Sequence, residues 1–436
     1  MTASLRLRAR TTLGLFLAIF VLLAPGLAGA QQAALAPAPP ETAGMSAARL
    51  TRLTNAFKKE IEDKKVPGAV MLIARKGKLV YASALGVRDP KGADPMRPDA
   101  IFRIYSMTKP MVSVAAMILV EDGALQLTDP VSRWLPAFKD VKVSTSSGDV
   151  AAQRPMTVQD LLRHTAGLAY GELTQNAAVK DALTQAGLFK PGVIEFDIRD
   201  MTGAEQVERL ARIPLLYQPG TTWEYSLATD VLGRVVEAAS GQRLGDFMSE
   251  RLFKPLKMSD TGFWVPPARL ARVAQPFDKD PLAGAPITLI EVSKQPGNDS
   301  GGAGGLATAG DYLRFAQMLG NGGMLDGHRV LSRTTVRLMT SDHLGSRIAV
   351  APTPGGAVLG ASTYTFGLGF AVRPGDGLAP VPGTAGDFYW GGYAGTFFWV
   401  DPKEQLVAVF MVQSAGALRV YHRTLFRQLV YQAIVD

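Results

Sequence analysis

Ser106-Met107-Thr108-Lys109 sets a hydroxyl and an amine three residues apart, at the head of an apolar run from Pro110 to Val120. Residues three apart share a helix face, so a helix over this run brings the two groups together. The chemistry open to such a pair is nucleophilic catalysis, with the serine attacking and the lysine helping to take its proton. Pro110 falls in the first turn, where a missing N–H costs nothing, and Gly123 is placed to cap the far end. Val112, Val114, Ala115, Met117, Ile118 and Leu119 leave almost no polar side, so this helix should be buried. Its N-terminus favours negative charge developing at the serine. Taken alone the tetrapeptide is weak evidence, because a serine N-cap followed by a surface lysine satisfies it equally.

Two later segments carry further chemistry. In Gly220-Thr221-Thr222-Trp223-Glu224-Tyr225-Ser226, Tyr225 follows a turn and precedes a helical stretch at 229–239. A tyrosine in the field of a lysine gives up its proton more readily and can serve as a base; the bland alternative is a packed tyrosine bonded to backbone. Trp390-Gly391-Gly392-Tyr393-Ala394-Gly395 lies within a strand-like pattern, where glycines mark close approach by a ligand or another backbone, or else a bulge or tight turn.

Other chemistries are poorly served. The chain has no cysteine, hence no thiol nucleophile, disulfide or thiolate metal site. His164, His328, His343 and His422 are too scattered for helix-borne zinc ligation, and no metal or other cofactor is expected. No Gly-x-Ser-x-Gly elbow occurs. Gly301-Gly302-Ala303-Gly304-Gly305 lacks the Gly-Lys-Ser/Thr ending of a phosphate loop. The formal charge of +8 falls to +5 without Arg6, Arg8 and Arg10. Lysines and acids alternate over 58–65, as on a solvated helix face, so no nucleic-acid partner is expected.

The elements that must position these residues follow from periodicity. Leu50, Leu53, Phe57 and Ile61 mark a helix over 47–62. A hairpin follows, with strands at 69–74 and 79–84. From residue 100 to about 319 the chain reads as helices at 110–121, 157–163, 204–212, 229–239 and 246–252, joined by loops rich in Gly and Pro. The longest loop, 266–305, exceeds a plain connection and is expected to wall the active site. Strands are expected at 364–372, 388–390, 396–400 and 406–412, then a terminal helix over 418–435. Strands near both ends imply one sheet built from both, with the helical middle as an inserted lobe and the site in the cleft between them.

The first thirty residues have an arginine-bearing start, a short apolar core over 13–23 and the small-x-small site Ala28-Gly29-Ala30. This is the form of an export signal cleaved after Ala30; the core is too short to span a membrane. A periplasmic or secreted protein is expected, with a flexible leader over 31–46 and a catalytic domain over 47–436. That domain divides into an α/β lobe at about 47–100 and 325–436 and a helical lobe at about 101–324.

The order Ser-x-x-Lys, Tyr-Ser, Trp-Gly-Gly, with the runs Leu161–Leu168 and Ser300–Leu306, resembles the family VIII carboxylesterases of the serine β-lactamase and penicillin-binding-protein superfamily. The resemblance spans roughly 47–435. It implies an α/β (α+β) fold, an antiparallel sheet flanked by helices plus a mainly helical lobe. It implies Ser106 as the acyl-accepting nucleophile, Lys109 assisting its deprotonation, and Tyr225 as partner base and later proton donor. The backbone N–H groups of Ser106 and Tyr393 match the oxyanion hole. Where β-lactamases carry Asn two residues after the tyrosine, Leu227 stands here; where they carry Lys-Thr-Gly, Trp390-Gly391-Gly392 stands. Those four residues are candidate substrate contacts, and the loss of polar grip favours a neutral, short-chain ester as the small-molecule partner. β-lactam or D-Ala-D-Ala hydrolysis is the rival activity. A non-catalytic receptor is disfavoured because all three catalytic side chains are present. His164 is expected to serve structure, not catalysis.

Overall fold

An amphipathic helix, α1 (Ala47–Glu62), opens the folded chain, and the side chain of Ser46 caps it by accepting from the Arg49 N–H. Leu50, Leu53 and Phe57 form its buried stripe, at the spacing the sequence shows. The computed structural model describes residues 1, 35–193, 197–360 and 363–436; apart from Met1, the expected export signal lies outside the described residues. Residues 35–46, expected as a flexible leader, are instead held in place. The Ala38 N–H donates to the Leu79 carbonyl at 2.9 Å, Pro40–Ala43 forms a 3₁₀ turn, and Ala43 and Met45 are fully buried. An Ala- and Pro-rich composition suggests mobility, but here the apolar side chains find the core beneath α1.

The hairpin strands β1 (Gly68–Arg75) and β2 (Lys78–Asp89) follow, joined by Lys76 and Gly77 at φ 51° and 73°. Two successive left-handed residues make the tight turn whose twist matches the strands. The chain then passes through β3 (Asp94–Pro95), α2 (Thr108–Glu121), α3 (Ala228–Ser240) and α4 (Ala309–Gly320). It returns through β4 (Thr365–Phe366), β5 (Ala371–Val372), β6 (Phe388–Gly391), β7 (Phe397–Asp401) and β8 (Leu406–Val412), and ends in α5 (Arg419–Tyr431). One antiparallel sheet runs β4-β5-β6-β7-β8-β1-β2-β3. The two ends of the chain therefore meet at its centre, where Ala69 pairs with Val412 and Arg75 with Leu406. Every residue of β1 and β8 is buried, as strands covered on both faces must be.

Two apolar layers sandwich the sheet. One, on the α1 and α5 side, holds Phe57, Trp399, Phe410 and Phe426; the other holds α2, α3 and α4. The sequence reading puts 309–320 in the helical lobe. α4 instead lies directly against β1, β7 and β8, with the Tyr312 ring 4.9 Å from that of Phe398 on β7. The strand expected over 364–372 is a small hairpin split at 367–370, where Gly369 takes φ 98°. The helix expected over 246–252 is α-helical only from Leu244 to Met248 and continues as a π turn, Ser249–Phe253. Helices at Ala177–Gln185 and Arg333–Met339 and a hairpin over 142–151 carry no clear signal in the sequence; each is short or weakly periodic.

Candidate active site

α2 begins at Thr108, two residues ahead of the apolar run that announces it, and a 3₁₀ turn, Tyr105–Met107, leads into it. Tyr105 sits at φ 43°, a left-handed conformation that is costly for a bulky residue. Several bonds hold it there. The Thr108 hydroxyl donates to the Tyr105 carbonyl at 2.6 Å, the Gly305 N–H donates to the same hydroxyl at 2.9 Å, and Tyr312 of α4 donates to the Met107 carbonyl at 2.8 Å. Ser106 thus stands on a strained, well-braced corner.

Lys109 is 1% exposed and spends its three N–H donors nearby: on Ser106 Oγ at 3.2 Å, the Tyr170 hydroxyl at 3.0 Å and the Gly302 carbonyl at 2.8 Å. The Tyr225 hydroxyl donates to Ser106 Oγ at 2.7 Å, and the ammonium lies 4.6 Å from the centre of the Tyr225 ring. The serine oxygen is thus gripped from two sides by groups able to exchange its proton. The helical spacing brings Ser106 to Lys109, as expected, and the fold brings Tyr225 to both across 119 residues. The arrangement can run general base catalysis on a hydroxyl without any histidine.

Tyr225 is held by packing. Trp390 of β6, 3% exposed, lies with its ring centre 5.4 Å from that of Tyr225, and His164 lies 5.0 Å away on another side. His164 is buried, and burial followed by the charge of Lys109 presses its pKa well below the usual histidine value. It is therefore a neutral ring near pH 7, and its Nδ1 meets Ser226 Oγ at 3.3 Å. Leu227 sits at the entry to α3 and lines a narrow cavity of about 40 Å³ with Tyr170 and Ile290 and with the charged side chains of Glu172, Asp197, Arg199 and Asp230.

The glycines after Trp390 answer to protein neighbours. A Cβ on Gly391 would come within 2.7 Å of the Arg423 guanidinium, and one on Gly392 within 2.2 Å of the Ile104 carbonyl. The strand ends at Gly391, and Gly392–Gly395 closes a tight turn with the Gly395 N–H donating to the Gly392 carbonyl at 3.0 Å. Tyr393 lies in that turn, its ring edge-on to Tyr105 at 5.4 Å. The turn is thereby docked against the residues that precede the nucleophile.

Tyr170 and the Gly302 carbonyl are site members the sequence does not announce. Tyr170 stands two residues beyond the run Leu161–Leu168, at no motif spacing. Asp230 of α3 holds the Gly302 loop, accepting from Ser300 Oγ at 2.6 Å and from the Gly302 N–H at 3.2 Å. The long loop ending at 305 meets the site at Gly302, whose carbonyl accepts from Lys109. Tyr170→Phe deletes one acceptor of a charged group, worth about 1.5–3 kcal/mol. Ester kcat/KM should fall about tenfold or more; a change under about twofold would leave Tyr170 a lining residue only.

Among the described residues no cluster of His, Cys, Asp or Glu is arranged to hold a metal, and no helix is long and apolar enough to cross a membrane. The β-lactamase family model matches residues 53–431. Esterase EstB of Burkholderia gladioli is 33% identical over 404 residues, covering 86% of this chain and 93% of EstB. A lovastatin esterase of Penicillium rubens is 29% identical, covering 86% of this chain and 97% of its own. Among solved structures, EstCE1, described as a hydrolase with promiscuous acyltransferase activity, superposes with a TM-score of 0.73 at 30% identity, covering 88% of this chain and 98% of its own. A nucleophile corner, a buried lysine and a tyrosine converging on one serine oxygen, in a fold and sequence shared along nearly the whole length, place this chain in the β-lactamase family.

Proposed function

We propose that this protein is a serine carboxylesterase that cleaves short-chain esters through an acyl-Ser106 intermediate. The observation that carries the reading is the convergence of Lys109 Nζ and the Tyr225 hydroxyl on Ser106 Oγ, at 3.2 and 2.7 Å. Ser106 attacks the ester carbonyl as its proton passes to the Lys109–Tyr225 pair. The N–H groups of Ser106 and Tyr393 hold the oxyanion; each such donor is worth roughly 3–4 kcal/mol in serine hydrolases. The pair then protonates the departing alcohol, and water releases the acid by the reverse sequence. The esterase names of EstB and the lovastatin esterase, matched over most of their length, support this reaction class.

Leu227 and Trp390 support a neutral ester over a β-lactam as the substrate. Leu227 offers no amide to grip a lactam side chain, and Trp390 is packed behind Tyr225, offering no cation for a lactam carboxylate. A p-nitrophenyl acetate or butyrate should therefore exceed a chromogenic cephalosporin in kcat/KM by on the order of 10³, since each polar contact missing from a buried site costs roughly 1–3 kcal/mol. Comparable efficiencies would favour the lactamase reading.

The charged start, short apolar core and Ala28-Gly29-Ala30 support export of the chain to the periplasm or medium. N-terminal sequencing of the exported protein should then begin at Gln31; an intact Met1 would rule cleavage out.

A further inference from the structure

Trp390 and Tyr389 are neighbours on β6 and so face opposite sides of the sheet. Trp390 faces Tyr225, while Tyr389 faces the layer of α1 and α5. On that second side lies a cavity of about 510 Å³ between β6, β7 and α5. Its walls are mostly apolar, with Tyr364, Tyr389, Phe397 and Val420 among them, and no acidic side chain among the described residues lines it. Val420 is 61% exposed, so the opening is apolar too.

One end of the cavity is cationic. Arg419, Arg423 and Arg427 follow one another at intervals of four on α5 and all line it. Arg427 is neutralised by the buried Asp387, which also pairs with Arg373. Arg419 and Arg423 form no ion pair among the described residues. Arg423 donates to the carbonyls of Gly392 and Gly395, and Arg419 reaches the Tyr393 carbonyl at 3.5 Å and lies 5.1 Å from that ring's centre. A guanidinium has five N–H donors, so most of theirs are left over. Bracing a turn requires donors, not two adjacent positive charges, and like charges four apart on a helix repel. Two half-buried cations and an apolar chamber, with no acid among its described lining residues, are complementary to an anion with a hydrocarbon tail.

We propose that this cavity is a second binding site, which takes a monocarboxylate with a hydrocarbon tail. The carboxylate sits on Arg419 and Arg423, whose planar forks match its two oxygens, and the tail lies along Tyr364, Tyr389 and Val420. The site is separate from Ser106, but it touches the same turn. The Gly392 carbonyl that Arg423 holds belongs to the peptide unit that carries the Tyr393 N–H. Arg423 joins the cavity to that turn, so occupancy would be felt where the Tyr393 N–H lies.

Octanoate is the probe, titrated calorimetrically into the full chain with and without a phosphonate on Ser106. One octanoate should bind per chain in both forms, with octanol, acetate and inorganic phosphate each at least tenfold weaker. Arg419→Gln should weaken octanoate at least tenfold. Val420→Asp, at an exposed position that spares the fold, should do the same by placing a negative charge beside the tail. Loss of binding on phosphonylation would put octanoate in the catalytic cleft and overturn the proposal. Octanol or phosphate matching octanoate would overturn it too, by showing a purely apolar or purely anionic site, and so would unchanged affinity in both folded variants. Failure of phosphonylation itself would count against the esterase reading alone, since binding to the untreated chain remains measurable.

Discussion

Ser106→Ala is expected to lower ester kcat by about 10⁴-fold or more, the scale on which removal of a serine nucleophile is felt in enzymes of this type. The side chain is small, the position is 8% exposed, and alanine suits a helix entry, so the fold should persist. Both its hydroxyl partners keep other support: Lys109 retains Tyr170 and the Gly302 carbonyl, and Tyr225 retains its packing against Trp390 and His164. Circular dichroism and the melting temperature should therefore match those of the wild type while turnover collapses. A folded Ser106→Ala protein with a tenth of the wild-type rate would remove Ser106 from the mechanism.

The second large effect belongs to the pair that handles the proton. Lys109→Ala and Tyr225→Phe should each lower kcat by on the order of 10³, within the range for general acid–base groups. The double variant should be little worse than either single one, because both groups act on one proton and the loss of one disables the other. Lys109 lies over the Tyr225 ring at 4.6 Å as well as on the serine oxygen, so the two cannot be independent. A double variant whose loss equals the product of the single losses would separate their roles. His164 sharpens the same point. It sits beside Tyr225 but is buried and held neutral, so its replacement in folded protein should leave the shape of the pH–rate profile unchanged.

Much of this arrangement is legible in the sequence where the signal is local. α1 runs from Ala47 to Glu62 as its periodicity indicates, because one stripe of Leu50, Leu53 and Phe57 decides it. The hairpin at Lys76-Gly77 and the apolar run of α2 are likewise decided by neighbours in the chain. The approach of Ser106 to Lys109 follows from helical spacing alone, whereas the partnership with Tyr225 rests on the order of motifs and the family they resemble. What was not legible depends on contacts distant in sequence. Tyr170 is one of several tyrosines until Lys109 is placed against it. Asp230 looks like an N-terminal helix acid until the Gly302 loop folds onto it. The Ala- and Pro-rich stretch 35–46 reads as a leader until the core that Ala43 and Met45 enter is known. α4 carries an apolar stripe that says it is covered without saying by what, and the sheet supplies the answer.

The glycines after Trp390 show a mixed case. Their type indicates a close approach, and one exists, but the approaching groups are the Arg423 guanidinium and the Ile104 carbonyl of this chain itself. That finding ties the turn bearing Tyr393 to the segment bearing Ser106, which an oxyanion hole made from both would require.

Whether Ser106 is the acyl acceptor is decided by covalent labelling. The protein is treated with a fluorophosphonate, digested and mapped by tandem mass spectrometry. The account predicts one phosphonyl group per chain, on Ser106, with loss of ester hydrolysis in proportion to labelling and no label on Ser106→Ala protein. Full inactivation with the label on another residue, or undiminished hydrolysis with Ser106 fully labelled, would contradict it.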